Sequence, residues 1–214
     1  MVDWEKHQLV ITGESGFGKS ALVANWVKEK LALGEALPYR IFFHFIGRSE
    51  STGSALQIIK ALCDEIRDRY GFEDVAPNYN ATGREAIGND LCTLFNRVSA
   101  EGYAPLLIVL DGINHLVEDD RSKLMDQLPV FLPRNVKMLF TTQEDDEVLF
   151  SALEDDEFLS EQSHHVFKLQ PLTKEERIQL VNKYLDKTYS KHLQDAQLRK
   201  IVDDPQNKNT HVHC

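Results

Sequence analysis

Residues 13–20 read Gly-Glu-Ser-Gly-Phe-Gly-Lys-Ser and fill every fixed position of the phosphate-binding loop pattern. That pattern requires Gly, four free positions, Gly-Lys and then Ser or Thr. An apolar run at 9–12 precedes the loop and an amphipathic stretch follows from Ser20, so the loop joins a predicted strand to a predicted helix. Because a chance match would lack this setting, the stretch predicts that the chain binds phosphate.

Each residue type in the loop has a physical role in holding phosphate. The glycines allow a tight turn that aims successive backbone N–H groups at phosphate oxygens, and the amino end of the following helix adds partial positive charge. Lys19 is predicted to reach the β- and γ-phosphates of a nucleotide, and the Ser20 hydroxyl is predicted to bind Mg²⁺. The predicted nucleotide contacts in this loop are Gly13, Glu14, Ser15, Gly16, Phe17, Gly18, Lys19, Ser20 and Ala21.

The composition of the chain argues against several classes of protein. Its 214 residues are enough for one large α/β domain, with or without a small appendage. A net charge of −10 argues against a nucleic-acid partner, which needs a basic surface. No apolar run approaches about 18 residues, so no membrane span is expected. Cys63, Cys92 and Cys214 lack metal-binding spacing and fit reduced thiols in a cytoplasmic protein.

Helical and strand patterns alternate along the chain, as they do in a parallel sheet covered by helices. Strands are predicted at 9–12, 40–46, 106–110, 136–142 and 164–169. Helices are predicted at 20–32, 54–70, 82–98, 121–131, 144–153, 173–185 and 192–202, two of them opened by capping boxes at Thr82 and Thr173. The predicted fold is a three-layer αβα P-loop domain with a mostly parallel sheet. It is expected to cover residues 1–172, followed by a short helical extension at 173–203 and a disordered or truncated tail at 204–214.

The strand predicted at 106–110 is apolar at every position, which indicates burial on both faces and a place inside the sheet. Asp111 follows at its carboxyl end, where open parallel sheets bind their ligands. Asp111 is therefore predicted to be the Walker B acid, which holds Mg²⁺ together with Ser20.

The group that activates the attacking water is left open by the sequence. Asn114 lies three residues after the Walker B acid, and its amide cannot serve as a general base, although it could orient a water. Gln143 could hydrogen-bond the γ-phosphate or the water, or it could be an ordinary polar residue at a strand end. Glu118 lies near a predicted helix start, where capping is the simpler role. Arg48 and Arg134 are candidates for an arginine finger, with a surface position as the alternative for each.

Four stretches of the chain resemble the STAND class of P-loop NTPases, near its NACHT group, and are most similar to the NTPase modules of nephrocystin-like and telomerase-associated multidomain proteins. They are residues 12–22, 43–47, 107–116 and the Leu-Gln-Pro-Leu of 169–172 with the helix that follows. The resemblance implies an ATP-dependent switch that uses Mg²⁺, sits beside repeats such as TPR or WD40, and has protein partners or self-associates. It also implies that Pro171 lines the adenine pocket.

Two departures from the family pattern shape the expected activity. The family often has Asp or Glu three residues after the Walker B acid, where this chain has Asn114, so slow hydrolysis is expected. The family continues into further helices and repeats, so this chain is expected to be an isolated or truncated module. The leading interpretation is an ATP-binding switch with slow hydrolysis, for which the candidate catalytic residues are Lys19, Asp111, Asn114 and Gln143. The alternatives are a non-catalytic scaffold and a P-loop kinase, for which no arginine-rich lid is found.

Overall fold

A computed structural model describes residues 7–47, 53–74, 84–100, 102–129, 132–154, 164–189 and 193–203. Five parallel strands form one sheet in the order β2-β3-β4-β1-β5. The strands are β1 (Gln8–Thr12), β2 (Arg40–Phe45), β3 (Leu106–Asp111), β4 (Val136–Thr141) and β5 (His164–Lys168). The helices are α1 (Lys19–Leu31), α2 (Ala55–Tyr70), α3 (Arg84–Val98), α4 (Glu118–Gln127), α5 (Glu147–Glu154), α6 (Lys174–Tyr189) and α7 (Asp195–Asp203). Short 3₁₀ turns lie at Gly34–Ala36 and Ile113–His115.

Every predicted strand and helix has a counterpart in this structure, and the predicted αβα fold with a parallel sheet is confirmed. The capping box at Thr173 is also confirmed, because its Oγ1 accepts from the Glu176 N–H at 3.2 Å and its own N–H donates to the Glu176 carboxylate at 2.8 Å. The capping box predicted at Thr82 lies outside the described residues.

The helix predicted at 121–131 begins earlier, and this corrects the capping role expected for Glu118. Val117 is the N-cap residue and offers no side-chain hydrogen bond, while Glu118, Asp119 and Asp120 occupy the first turn. Carboxylates in that turn stabilise the helix through the partial positive charge of its amino end. The acids therefore extend α4 by three residues instead of capping it.

The direction of the crossovers determines which face of the sheet each helix covers. The connections β2 to β3, β3 to β4 and β4 to β5 all move across the sheet in one direction, whereas β1 to β2 moves in the other. Right-handed crossovers therefore place α2, α3, α4 and α5 on one face and α1 alone on the opposite face. The two apolar cores agree, because one joins Val10 and Phe140 to α2–α5 and the other joins Ile11 and Leu139 to α1.

The two helices after β5 pack against each other. The Arg177 guanidinium donates to the Val202 carbonyl oxygen at 3.0 Å, and Lys174 forms an ion pair with Asp203 at 2.7 Å. The division between the phosphate-loop domain and this helical extension at residue 172 stays a prediction. No helix within the described residues is both long and apolar enough to cross a membrane.

Candidate nucleotide site

The predicted phosphate loop joins the end of β1 to the start of α1. Gly16 and Gly18 have φ values of +87° and +92°, a conformation that glycine adopts without steric cost. Gly18 is the N-cap residue of α1, and its carbonyl oxygen accepts the first helical hydrogen bond from the Leu22 N–H at 2.8 Å. The first turn of α1 contains no acidic residue that would repel an anion. The loop therefore has the shape and the local charge that a phosphate group requires.

Lys19 lies over the loop and is bonded to it in this structure. Its ammonium donates to the carbonyl oxygens of Gly13 at 2.5 Å and Glu14 at 3.1 Å. Burial lowers the pKa of Lys19, while the negative charges of Asp111 and Glu144 act in the opposite direction. The ammonium group thus lies within electrostatic reach of both carboxylates.

Gly13 is fixed by contact with the segment that follows β5. The Leu169 N–H donates to the Thr12 carbonyl oxygen at 2.8 Å, which continues the pairing of β1 with β5. A Cβ atom at Gly13 would lie 3.2 Å from the Leu169 carbonyl oxygen and 3.4 Å from the Phe17 ring. The φ of +154° also disfavours any residue with a side chain. The first glycine of the loop is therefore required by close packing as well as by backbone conformation.

Asp111 ends a strand that is buried at every position, as predicted, and is itself 2% exposed. Its Oδ1 accepts a hydrogen bond from the Thr141 hydroxyl at 2.6 Å, and that hydroxyl oxygen accepts from the Gly112 N–H at 2.8 Å. The second carboxylate oxygen, Oδ2, is not used in this chain of bonds. Thr141 thus fixes the orientation of the carboxylate and links the ends of β3 and β4.

Glu144 is a site residue that sequence reasoning missed, because it stands in an acidic run typical of a solvated surface. It follows β4, and its carboxylate forms an ion pair with Lys168 at 2.5 Å, at the end of β5. Since β1 lies between β4 and β5 in the sheet, this pair spans the strand that leads into the phosphate loop. No motif in the sequence indicates the contact, because it depends on which strands are neighbours.

A second buried carboxylate holds the segment that follows β4. Asp146 is 3% exposed and accepts hydrogen bonds from the Thr142 hydroxyl, from Arg121 at 2.9 Å and from the Leu149 N–H at 3.3 Å. The same carboxylate therefore pairs with Arg121 of α4 and caps the amino end of α5. Gln143 is thereby held between two residues of fixed position, Thr142 and Glu144.

The other predicted site residues that the structure describes lie at both ends of the sheet. Asn114 is half-buried in the 3₁₀ turn just after β3, and Gln143 is half-buried just after β4, so both lie at the carboxyl edge of the sheet. Pro171 is exposed and lies two residues beyond Leu169. Arg134 precedes β4 and lies at the opposite edge, so it cannot serve as an arginine finger for this loop. The candidate Arg48 lies outside the described residues.

The residues at this edge fit a magnesium–nucleotide complex. The Asp111 carboxylate and the Ser20 hydroxyl are hard oxygen ligands of the kind that Mg²⁺ prefers, and Mg²⁺ usually takes its remaining ligands from water and substrate phosphates. Within the described ranges, no group of three or more His, Cys, Asp or Glu side chains could hold a metal ion.

Comparison with known proteins gives a family match over most of the chain. A sequence model of the NACHT domain matches residues 7–188. The chain is 26% identical over 189 residues to telomerase protein component 1 of Mus musculus, covering 87% of this chain and 7% of that protein. It is 25% identical over 226 residues to a TPR repeat-containing protein of Dictyostelium discoideum, covering 90% of this chain and 13% of the relative. The chain thus spans a small part of the length of both relatives.

A solved structure also shares the fold. A Walker-type ATPase of Pyrococcus abyssi superposes with a TM-score of 0.52 at 12% identity, covering 92% of this chain and 58% of that one. At such low identity the likeness shows the fold alone, which is an αβα arrangement around a phosphate loop.

Proposed function

Because this chain belongs to the NACHT domain family, we propose that it binds ATP with Mg²⁺, hydrolyses it slowly and acts as a nucleotide-dependent switch. The observation that carries the proposal is the convergence of three features at one edge of the sheet. They are the complete phosphate loop with Lys19, the buried Asp111 fixed by Thr141, and the absence of an acid at Asn114.

The proposed roles follow from the chemistry of each group. Backbone N–H groups of residues 13–21 hold the phosphates, and Lys19 balances their charge. Asp111 and Ser20 hold the metal ion, which when bound neutralises phosphate charge. Gln143 and Asn114 orient the attacking water, since neither amide accepts a proton near neutral pH. Pro171 is proposed to contact the base, because it lies two residues after Leu169, which packs on Gly13 of the loop.

A route from the nucleotide to the helical extension supports the switch. Lys19 is bonded to the carbonyl oxygens of Gly13 and Glu14 in this structure, and phosphate binding must exchange those bonds for bonds to phosphate oxygens. Gly13 packs against Leu169, and Thr173 caps α6 only four residues later. A shift at the loop would therefore reach α6 through a connection of only four residues.

Slow turnover is the first expected result. No carboxylate follows Asp111 at position 114, and P-loop hydrolases that lack a supplied arginine can be slower by about 10³ to 10⁵. The chain should release phosphate at well below about one per second. Asn114→Asp should raise turnover without changing ATP affinity, and Asn96→Asp, at an exposed position of α3, is the matched control. Steady-state phosphate release from the three proteins measures this.

The same assay, run with radiolabelled ATP, distinguishes a hydrolase from a kinase and from a scaffold. Radiolabel that passes from ATP to an added acceptor would indicate a kinase, and tight ATP binding with no phosphate release would indicate a scaffold. Brisk turnover by the natural chain would overturn the slow-switch proposal. Glu144 would then be the first residue to mutate, because it is the additional carboxylate within electrostatic reach of Lys19.

Asp111→Asn tests the metal site. The amide loses the negative charge that attracts Mg²⁺ but keeps an oxygen that can accept from Thr141, so the fold should persist. ATP affinity should fall about tenfold or more with Mg²⁺ and change little in EDTA. Calorimetric titrations in both conditions measure the difference. An equal loss with and without metal would show that Asp111 is purely structural.

The cellular setting is also a proposal. Relatives of this chain are named for TPR or WD repeats, so we expect repeats in the same protein and protein partners or self-association. Cys63 and Cys92 are free thiols within the described residues, which fits a cytoplasmic protein. The expected lack of a nucleic-acid partner rests on the net charge of −10 alone. Retention on a duplex DNA column at physiological salt would contradict it.

A further inference from the structure

Among the described residues, the sheet face that carries α1 is buried at its centre and exposed at the two outer strands. Val109 and Leu139, on the inner strands, are 0% and 4% exposed. Five strands spaced about 4.8 Å apart span about 19 Å between the outermost two, whereas one helix is about 10–12 Å wide. Phe43 on β2 is 37% exposed and lies on this face with its neighbour Phe45. Phe167 on β5 pairs in register with Ile11 of this face and is 49% exposed. Both exposed aromatic side chains therefore lie on the outer strands of the sheet, β2 and β5.

A cleft of about 620 Å³ lies on this face between α1 and the sheet. One wall is formed by Leu22, Trp26 and Lys30, which are four residues apart and so lie along one flank of α1. The floor includes Leu9 and Leu139 from β1 and β4. Leu22 is 45% exposed, so the apolar surface of the cleft continues onto the helix.

The charged residues of the cleft all have the same sign. Lys30, Arg134 and Lys137 line it, and no Asp or Glu is among its described lining residues. The whole chain has 34 acidic and 24 basic residues and is therefore negatively charged. The described charged residues that line the cleft are all positive, which is the opposite sign. Lys30 is in the last turn of α1 and Arg134 just precedes β4, which puts these two cations at the end of the cleft where the strands begin.

This end of the cleft is remote from the nucleotide. Tyr39 and Arg134 line it and precede β2 and β4, whereas the phosphate loop and Asp111 lie at the carboxyl ends of their strands. A ligand of this end therefore does not compete with ATP for the same groups. The cleft is a separate feature of the fold.

We propose that this cleft is the docking site for an amphipathic helix of a partner protein, apolar on the face that enters it and acidic at the end that meets Lys30 and Arg134. A helix packed 8–10 Å from α1, the usual interaxial distance, would fill the cleft and cover the exposed Leu22. The apolar floor and wall supply the burial, and Lys30 and Arg134 select an acidic partner and fix its direction. The inference goes beyond the proposed nucleotide switch and does not depend on it.

Two synthetic helical peptides about as long as α1 provide the probe. Both carry leucines at helical spacing on one face, and one has glutamates at an end where the other has lysines. The chain has two tryptophans, so in a Trp4→Phe background Trp26 alone reports binding in the cleft by its fluorescence. The acidic peptide should change that fluorescence and bind at least about tenfold more tightly than the basic one.

Charge reversal at the rim tests the assignment. Lys30→Glu combined with Arg134→Glu should reverse the preference between the peptides, whereas the matched pair Lys28→Glu and Arg199→Glu, both at exposed positions, should leave it unchanged. All variants should bind a fluorescent ATP analogue as the natural chain does. A failure of the docking proposal can therefore be told apart from a failure of the nucleotide-binding proposal.

Three results would overturn the docking proposal. The first is binding of neither peptide or equal binding of both. The second is the same response from the rim variant and its control. The third is a dimer, detected by sedimentation velocity, that dissociates when Lys30→Glu and Arg134→Glu are introduced. That result would assign the cleft to a second copy of the chain.

Discussion

Lys19→Ala should lower ATP affinity at least tenfold, on the order of 1.4 kcal/mol or more. The ammonium lies on the loop, bonded to the Gly13 and Glu14 carbonyl oxygens, and phosphate oxygens are the stronger acceptors for it when nucleotide binds. Alanine removes the only loop side chain with a full positive charge. Isothermal titration with ATP and Mg²⁺ measures the change in affinity.

The matched control is Lys28→Ala, on the same helix but exposed in its last turn. It removes an equal charge from α1 and should bind ATP as the natural chain does. Lys19→Arg is informative as well, because it keeps the charge but replaces a compact ammonium with a planar guanidinium. Equal dissociation constants for the Lys19→Ala chain and the natural chain would refute nucleotide binding through this loop.

Asp146→Ala should reduce the free energy of unfolding by about 3–5 kcal/mol, the usual cost of leaving one partner of a buried ion pair alone. The Asp146 side chain is 1% exposed and that of Arg121 is 18% exposed, so water cannot replace the lost carboxylate fully. The substitution also removes the acceptor for the Thr142 hydroxyl and for the Leu149 N–H that begins α5. Urea unfolding followed by circular dichroism measures the loss.

Asp145→Ala is the neighbouring control, because Asp145 is exposed and its change should cost no more than about 0.5 kcal/mol. Replacing both members of the pair, Arg121→Met with Asp146→Leu, should recover much of the stability, since no unpaired charge is then left buried. If Asp146→Ala and Asp145→Ala unfold at the same urea concentration, the buried pair does not stabilise the fold.

The sequence by itself determined the local parts of this protein. The phosphate loop was identified from its own residues because the backbone geometry it needs demands glycine at fixed positions. The buried strand ending in Asp111 was identified because a short apolar run without polar alternation is typical of a strand covered on both faces. The alternation of helices and strands then predicted a parallel sheet. These features depend on contacts or burial patterns within a few residues, which a sequence displays directly.

Only the tertiary structure decided which strands are neighbours. Strands of a parallel sheet share similar apolar patterns, so the pattern does not say that β4 lies between β1 and β3. That order is set by the packing of whole helices and strands far apart in the chain. It brings Thr141 to Asp111 and places the Glu144–Lys168 pair across β1. The same order places α1 on the face opposite α2–α5, beside the cleft lined by Trp26.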